Sequence, residues 1–375
     1  MAGPPTLSQR GADLLARPPL PAYIAAHFEN AADMWSPEHE GGYIPLCIAE
    51  NTLMWDELQA RFAAAVDVPA RALGYDAMIG AMPFREQLAA FLGPNLFGRA
   101  VQPQQLAVLA GAGTVLEIVG YGLADEGEGV LVPTPSYAGF WADLETRDGL
   151  RMVPVRTQAD EGFALTTEAL EHALQTAECP VKVLLFTTPD NPLGRVYSGE
   201  EIDAVMAWAA SHDLHVIVDE IYGLSVFGER PFVSVASRGP LGDRVHVVWA
   251  FSKDFGASGL RCGVLLSENE ELIRAVDALA YWGAVSGDTQ VRLGELVSDG
   301  PWVADFVVEN QRRLGEAYAG VARELAAWSI PHVPSDAGFF TVCDLREVLE
   351  EPTWEAEHAL WQQMLDVHRV NLTPG

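Results

Sequence analysis

The chain has 375 residues, 49% hydrophobic and 20% charged, an ordinary globular balance that allows a sizeable core in one large domain or two moderate ones. Its 52 acidic against 23 basic residues give a formal charge of −29, which repels a polyanion, and no basic helix or aromatic-rich basic strand opposes that field, so nucleic acid is not an expected partner. No apolar run approaches the roughly 18 residues needed to cross a bilayer, and the opening residues lack a basic segment followed by an apolar one, so a soluble cytoplasmic protein with no membrane partner is expected. Cys47, Cys179, Cys262 and Cys343 form no CxxC pair, which argues against a disulfide framework or a thiolate metal site and leaves buried thiols as the expectation.

In chain order, the segment up to about residue 45 is rich in Pro, Gly and polar residues and reads as an arm. Seven short apolar runs follow between residues 105 and 267: QLAVLAG, GVLVPTPSY, RMVPVRT, VKVLLFTTP, HVIVDEIY, VHVVWAFS and CGVLLS. They alternate with helical patterns, the signature of an α/β fold with a mostly parallel seven-stranded sheet sandwiched by helices. VLLF and VIV are apolar at every position, as expected of strands buried on both faces. Between the fourth and fifth runs, Ser198 and Glu201 fit a capping box, and Ile202, Val205, Met206 and Ala209 keep helical spacing, which predicts a crossover helix. From about residue 276 the pattern is mostly helical, clearest in ENQRRLGEAYAGVARELAAW, and AGFFTVCDL then reads as a strand. The division this implies is an arm over 1–45 contributing to a small domain, a large domain over 46–275 and a smaller α+β domain over 276–375.

Lys253 lies in AFSKDFGASGLRCG just past an apolar strand, where open α/β sheets place their ligands. Alone, a lysine there is more often a solvated surface group than a nucleophile. Complementary groups stand at other strand ends: Asn191 in TTPDNPLG, Asp219 and Tyr222 in DEIY, and Arg261 eight residues after Lys253. The set suits a pyridine aldehyde phosphate held as a Schiff base on Lys253. A carboxylate from Asp219 keeps the pyridine nitrogen protonated and makes the ring an electron sink. Asn191 and Tyr222 can hydrogen-bond the ring's 3-oxygen, and Arg261 can clamp the phosphate. Backbone donors for that phosphate are expected in LAGAGTVLE, at Gly113 and Thr114, although Gly-rich turns also occur for packing alone. Tyr137 can stack on the ring or serve as a core tyrosine. Ser252 can assist Arg261 at the phosphate or simply provide turn chemistry.

NPLG, DEIY, SKDFG with Arg261 in register, and TPSYAGF together resemble the aspartate-aminotransferase superfamily of fold-type I pyridoxal-phosphate (PLP) enzymes over nearly the whole chain. LSQRG, GYIPLCIAEN and LVPTPSYAGF are most similar to 1-aminocyclopropane-1-carboxylate (ACC) synthases and their homologues. That resemblance implies substrate-pocket roles for Ala49, Glu50 and Asn51, while Asn51 alone also reads as a helix N-cap. It further implies a two-fold homodimer with shared sites, in which Tyr75, at the aminotransferase spacing before Gly80 and Arg85, serves the partner's cofactor. It places a carboxylate-binding arginine beyond the NLTPG segment that ends at Gly375. Two positions depart from the pattern: Met78-Ile79-Gly80 stands where ACC synthases carry Tyr-His-Gly, and Ala250 where many relatives have a serine.

The activity this implies is formation of a quinonoid from an amino acid, with S-adenosylmethionine ranked first. Loss of methylthioadenosine from its γ-carbon is then followed by ring closure, or by γ-replacement or annulation with a second small molecule in specialised metabolism. A class I aminotransferase is the alternative from the same residues. A non-catalytic PLP-binding sensor is the third reading.

Overall fold

Apolar runs with no alternation are stable as strands only where both sheet faces are covered, and the chain uses them in that way. The computed structural model describes residues 6–64 and 66–374. Its strands are β1 (Ile44–Pro45), β2 (Leu106–Leu109), β3 (Gly129–Thr134), β4 (Arg151–Arg156), β5 (Val181–Thr187), β6 (His215–Asp219), β7 (Val245–Ala250), β8 (Gly263–Ser267) and β9 (Val370–Asn371). β2 to β8 form one seven-stranded sheet in the order β2-β8-β7-β6-β5-β3-β4, so each of the seven apolar runs supplies one strand. Residues 183–186 of β5 and 247–250 of β7 are fully buried.

The strand directions decide what meets at each edge. β4, β3, β5, β6 and β7 are mutually parallel, whereas β8 is antiparallel to both β7 and β2. Ala250, at the end of β7, is therefore opposite Gly263, at the start of β8, and Gly263 is opposite Leu109, at the end of β2. The exits of β2, β5, β6 and β7 and the entrance to β8 thus share one edge of the sheet. This is the edge at which parallel sheets place ligands.

The crossover helix Gly199–Ser211 begins as the sequence predicts. Ser198 Oγ accepts from the Glu201 amide at 3.2 Å and Glu201 Oε2 accepts from the Ser198 amide at 2.7 Å, satisfying two amides that the helix start would otherwise leave open. Ile202, Val205, Trp208 and Ala209 are its buried face. The long helix Gly300–Ala327 is fixed through aromatic contacts: Phe306 stacks on Phe255 at 5.3 Å, and Phe255 meets Phe251 at 5.4 Å and Phe91 at 5.9 Å. Each such pair adds about 0.5–1.5 kcal/mol beyond the area it buries. The turn carrying Lys253 is thereby framed by Phe251 and Phe255, both buried.

Three expectations change. AGFFTVCDL is not a strand: only Ala337 and Cys343 make isolated bridges, to Val226 and His332, and Gly338 at φ 75° breaks the extended backbone. Asn51 is not an N-cap, because the helix Trp55–Ala63 begins four residues later; its side chain instead accepts from the Leu53 amide at 3.1 Å and donates to Asn310 at 2.7 Å. Of the four free thiols, Cys47 and Cys262 are buried, but Cys179 and Cys343 are only half-buried.

The chain divides into two compact units, one of residues 1–49, 138–142 and 344–375, the other of 50–137 and 143–343. The arm and the last thirty or so residues share a unit, whereas 276–343 group with the sheet, where the sequence reading assigns them to the smaller domain. In the first unit β1 pairs with β9 in parallel, and the buried Asn371 side chain ties the pair to Tyr23, Tyr43 and Trp361 through bonds of 2.8–2.9 Å. Among the described residues no helix is long and apolar enough to cross a membrane, and no group of three or more His, Cys, Asp or Glu side chains is placed to hold a metal.

Candidate active site

The shared sheet edge collects the residues that the strand-end motifs single out. Asp219 is the last residue of β6, 6% exposed, with Oδ1 accepting from the Ile221 amide at 3.1 Å. Tyr222, three residues on and 2% exposed, accepts at its hydroxyl from Asn191 Nδ2 at 3.2 Å. Lys253 sits on the single helical turn Phe251–Asp254 that follows β7. Arg261 precedes β8 in the left-handed conformation, φ 48°, which a non-glycine residue adopts at a cost of order 1 kcal/mol. Its Nη1 donates to the Ser258 carbonyl at 3.2 Å.

Burial and charge act against each other here. Burial lowers the Lys253 ammonium to about 8, against the upward pull of Asp219 and Glu50, while Arg261 adds to the lowering. Burial raises the Asp219 carboxyl to about 7, opposed by the Ile221 amide and by Lys253. Tyr222 is raised far above the usual phenol range, by burial first and then by Asp219, so its hydroxyl stays protonated. A buried carboxylate of this kind gains most from a cation placed directly against it.

The residue after Lys253 explains why its turn is rigid. Asp254, 1% exposed, accepts from Trp249 Nε1 at 2.8 Å, the Leu224 amide at 3.0 Å and Ser225 Oγ at 2.7 Å. One carboxylate therefore joins the end of β7, the lysine turn and the segment that follows Tyr222. Asp190 does the same for the Asn191 turn, accepting from the Leu193 amide and from Tyr197 Oη, both at 3.3 Å. Neither residue was singled out from sequence, where a carboxylate beside a functional residue carries no sign of its donors.

PLP fits this set of residues. At the phosphate end, Gly111 has φ 92°, and a Cβ on it would lie 2.5 Å from Arg261 Nη2, so the guanidinium rests against a backbone that only glycine leaves open. The helix Ala112–Leu123 starts there, and its first amides, with Gly113 and Thr114 among them, have no intrahelical acceptors. The Thr114 hydroxyl itself donates to the Ala110 carbonyl at 3.0 Å. At the ring end, the Asn191–Tyr222 pair suits a phenolate oxygen and Asp219 a pyridinium. Ser136 Oγ and Thr188 Oγ1, just beyond the ends of β3 and β5, are buried without a protein partner, as expected of hydroxyls that await a ligand.

The remaining candidates differ in their placement. Ser252 is 7% exposed on the lysine turn. Tyr137 is 46% exposed and close enough to Tyr222 to raise its pKa. Glu50 Oε1 accepts from Ser258 Oγ at 2.8 Å, whereas Asn51 is spent on Leu53 and Asn310. Ala49 belongs to the first compact unit. Tyr75 is 96% exposed and takes no part in its own chain's cluster. Two aromatic side chains that the sequence reading passed over join the set: Phe339 and Phe340 meet Tyr222 edge-on at 5.5 and 5.1 Å. The chain has only two lysines, and the other, Lys182, begins β5 at the opposite end of the parallel strands, half-exposed beside Glu128 at 3.8 Å.

The Gly111 contact gives a direct test. Gly111→Ala places a methyl against Arg261 in an unfavourable φ region, and PLP affinity, measured by titrating the cofactor-free protein, is expected to fall by about tenfold or more, equivalent to ~1.4 kcal/mol.

Comparison with known proteins agrees with the geometry. The family described as aminotransferase class I and II matches residues 43–375. The ACC synthase-like protein 1 of Mus musculus is 37% identical, covering 90% of this chain and 70% of its own, and ACC synthase 2 of Cucurbita pepo is 32% identical, covering 93% and 77%. Among solved structures, a Thermus thermophilus aspartate aminotransferase double mutant superposes with a TM-score of 0.80 over 100% of this chain and 92% of its own at 21% identity, a likeness of fold. The chain belongs to the class I and II aminotransferase family of fold-type I PLP enzymes.

Proposed function

We propose that this protein is an ACC synthase-like enzyme acting on an amino acid with a good leaving group at the γ-carbon, S-adenosylmethionine first. The observation that carries the reading is Glu50. Its carboxylate is held by Ser258 at 2.8 Å and is close enough to Lys253 to raise the lysine pKa, so the site presents a second negative charge beside the reactive nitrogen. A sulfonium centre is the substrate feature that such a charge favours. The 32–37% identity to ACC synthases and their homologues supports the same reading.

PLP, when bound, supplies an electron sink for the substrate's α-carbon. Asp219 would hold a proton at the pyridine nitrogen. Asn191 and Tyr222 would fix the ring through its 3-oxygen, and Arg261 with the amides after Gly111 would anchor the phosphate. Lys253 Nζ removes the α-proton, and a pKa near 8 suits a group that must both take and return a proton close to neutral pH. Glu50 orients the sulfonium so that its bond to the γ-carbon breaks and methylthioadenosine leaves with the electron pair of that bond. Closure of the α-carbon onto the γ-carbon gives ACC, and capture by a second small molecule gives γ-replacement.

Incubating the holoenzyme with S-adenosylmethionine, alone and with candidate nucleophiles, is expected to release methylthioadenosine, and Lys253→Ala to reduce that release by about a hundredfold or more. No methylthioadenosine under any condition, together with conversion of the cofactor to pyridoxamine phosphate by ordinary amino acids, would establish an aminotransferase instead.

The proposal includes a homodimer in which Tyr75 reaches the partner's site. The exposure of Tyr75 (96%), with Leu73 (82%), Tyr281 (67%) and Trp282 (73%) also left in water, is consistent with a surface that a partner covers. Sedimentation equilibrium at micromolar concentration should return twice the chain mass. A monomer there contradicts this part of the proposal.

A further inference from the structure

We propose that the ring face of Phe339 is a subsite for the positively charged group of the substrate, and so selects a cationic γ-substituent over a neutral one of the same shape. Lys253 Nζ stands 5.8 Å from the Phe339 centroid, within the distance at which the negative face of an aromatic ring attracts a cation. The ring therefore already receives a positive charge at the reactive end of the site. When Lys253 is the neutral amine that takes the α-proton, that face is left to another cation.

The ring is held rather than loosely hung. Tyr222 meets Phe339 edge-on at 5.5 Å and 72°, and Phe340 at 5.1 Å and 88°. The backbone beneath is fixed at three points: the Gly338 amide donates to the Ser225 carbonyl and the Phe227 amide to the Asp336 carbonyl, both at 2.9 Å, and Ser335 Oγ donates to the Ala337 carbonyl at 2.9 Å. Gly338 is needed for the turn, because its φ is 75° and a Cβ would meet the Phe340 ring at 2.5 Å. Ser225 is also a donor to Asp254, so the aromatic turn and the lysine turn share one anchor. Phe339 nevertheless remains partly exposed, which leaves its surface for a ligand.

The charges around Lys253 point the same way. Asp219 and Glu50 both raise the Lys253 pKa, as carboxylates facing a cation do, and Arg261 lowers it. Glu50 and Phe339 then act together, one as a carboxylate and the other as an aromatic face that attracts a soft, weakly hydrated cation such as a sulfonium. The class of ligand that fits is an amino acid with a trialkylsulfonium at the γ-position.

The inference rests on the proposed S-adenosylmethionine chemistry and is tested with holoenzyme by calorimetry, comparing S-adenosylmethionine with S-adenosylhomocysteine, its neutral thioether. Phe339→Leu keeps an apolar side chain and removes the ring. The Kd for S-adenosylmethionine is expected to rise about 2- to 30-fold, the range of a cation–π contact, with S-adenosylhomocysteine shifting less than about twofold and Phe339→Tyr staying near wild type. Equal shifts for both ligands, or none, overturn the inference while leaving the sulfonium reading intact. If the wild-type protein binds no S-adenosylmethionine, that reading falls, and Lys253 itself then decides the role of the ring. In cofactor-free protein with 13C-methylated lysines, Phe339→Leu must lower the Lys253 pKa by about half a unit, Phe339→Tyr must not, and Lys182 is the internal control. An unmoved Lys253 signal overturns the inference on its own.

Discussion

The reversal of strand direction between β7 and β8 is the constraint on which the site depends. With all strands parallel, the segment entering β8 would lie at the far end of the sheet from the exit of β7, and Lys253 and Arg261 would be separated by the length of a strand. Because Ala250 faces Gly263 across an antiparallel pair, the lysine turn and the arginine turn stand side by side. β2, antiparallel to β8 in turn, delivers Gly111 and the start of the helix Ala112–Leu123 to the same place. One strand reversal therefore brings Gly111, Arg261 and Lys253 together, while the parallel strands β5 and β6 supply Asn191 and Asp219.

Charge then gives the edge a direction. Arg261 and the helix start form a positive end. The other end holds Asp219, Glu220 and Asp254, all buried, with carboxyls that burial raises to about 7, 8 and 7. Such groups are costly to bury unless satisfied. Asp254 is satisfied by three donors, whereas Asp219 accepts from the Ile221 amide and is acted on by the Lys253 cation, which suits it to answer a pyridinium. In the proposed site, a cofactor with an anionic phosphate and a cationic ring nitrogen would set its phosphate at the Arg261 end and its ring nitrogen at Asp219. The chain's overall acidity plays no necessary part in it.

Much of this was legible in the sequence because strand ends are local. DEIY, NPLG and SKDFG each place a chemical group within a few residues of an apolar run, and a parallel sheet converts those separate run ends into neighbours. What escaped notice depends on non-local contacts. AGFFTVCDL reads as a strand from its apolar content, but Gly338 turns the backbone and presents Phe339 and Phe340 to Tyr222. Nothing in their spacing records a partner more than a hundred residues earlier. Asn51 looks like a cap because it precedes a helix, yet its amide is taken by Asn310, 259 residues away. LAGAGTVLE does not distinguish Gly111 from Gly113, because which glycine lies beneath the guanidinium depends on Arg261, 150 residues later.

The central claim is that the chemistry of the chain is centred on Lys253, and a sequence with only two lysines makes it unusually accessible to measurement. Reducing the PLP-loaded protein with borohydride and mapping the modified peptide by mass spectrometry should place one phosphopyridoxyl group on Lys253 and none on Lys182. A label on Lys182, or a protein that takes up PLP and retains no label on Lys253 after reduction, would contradict the account.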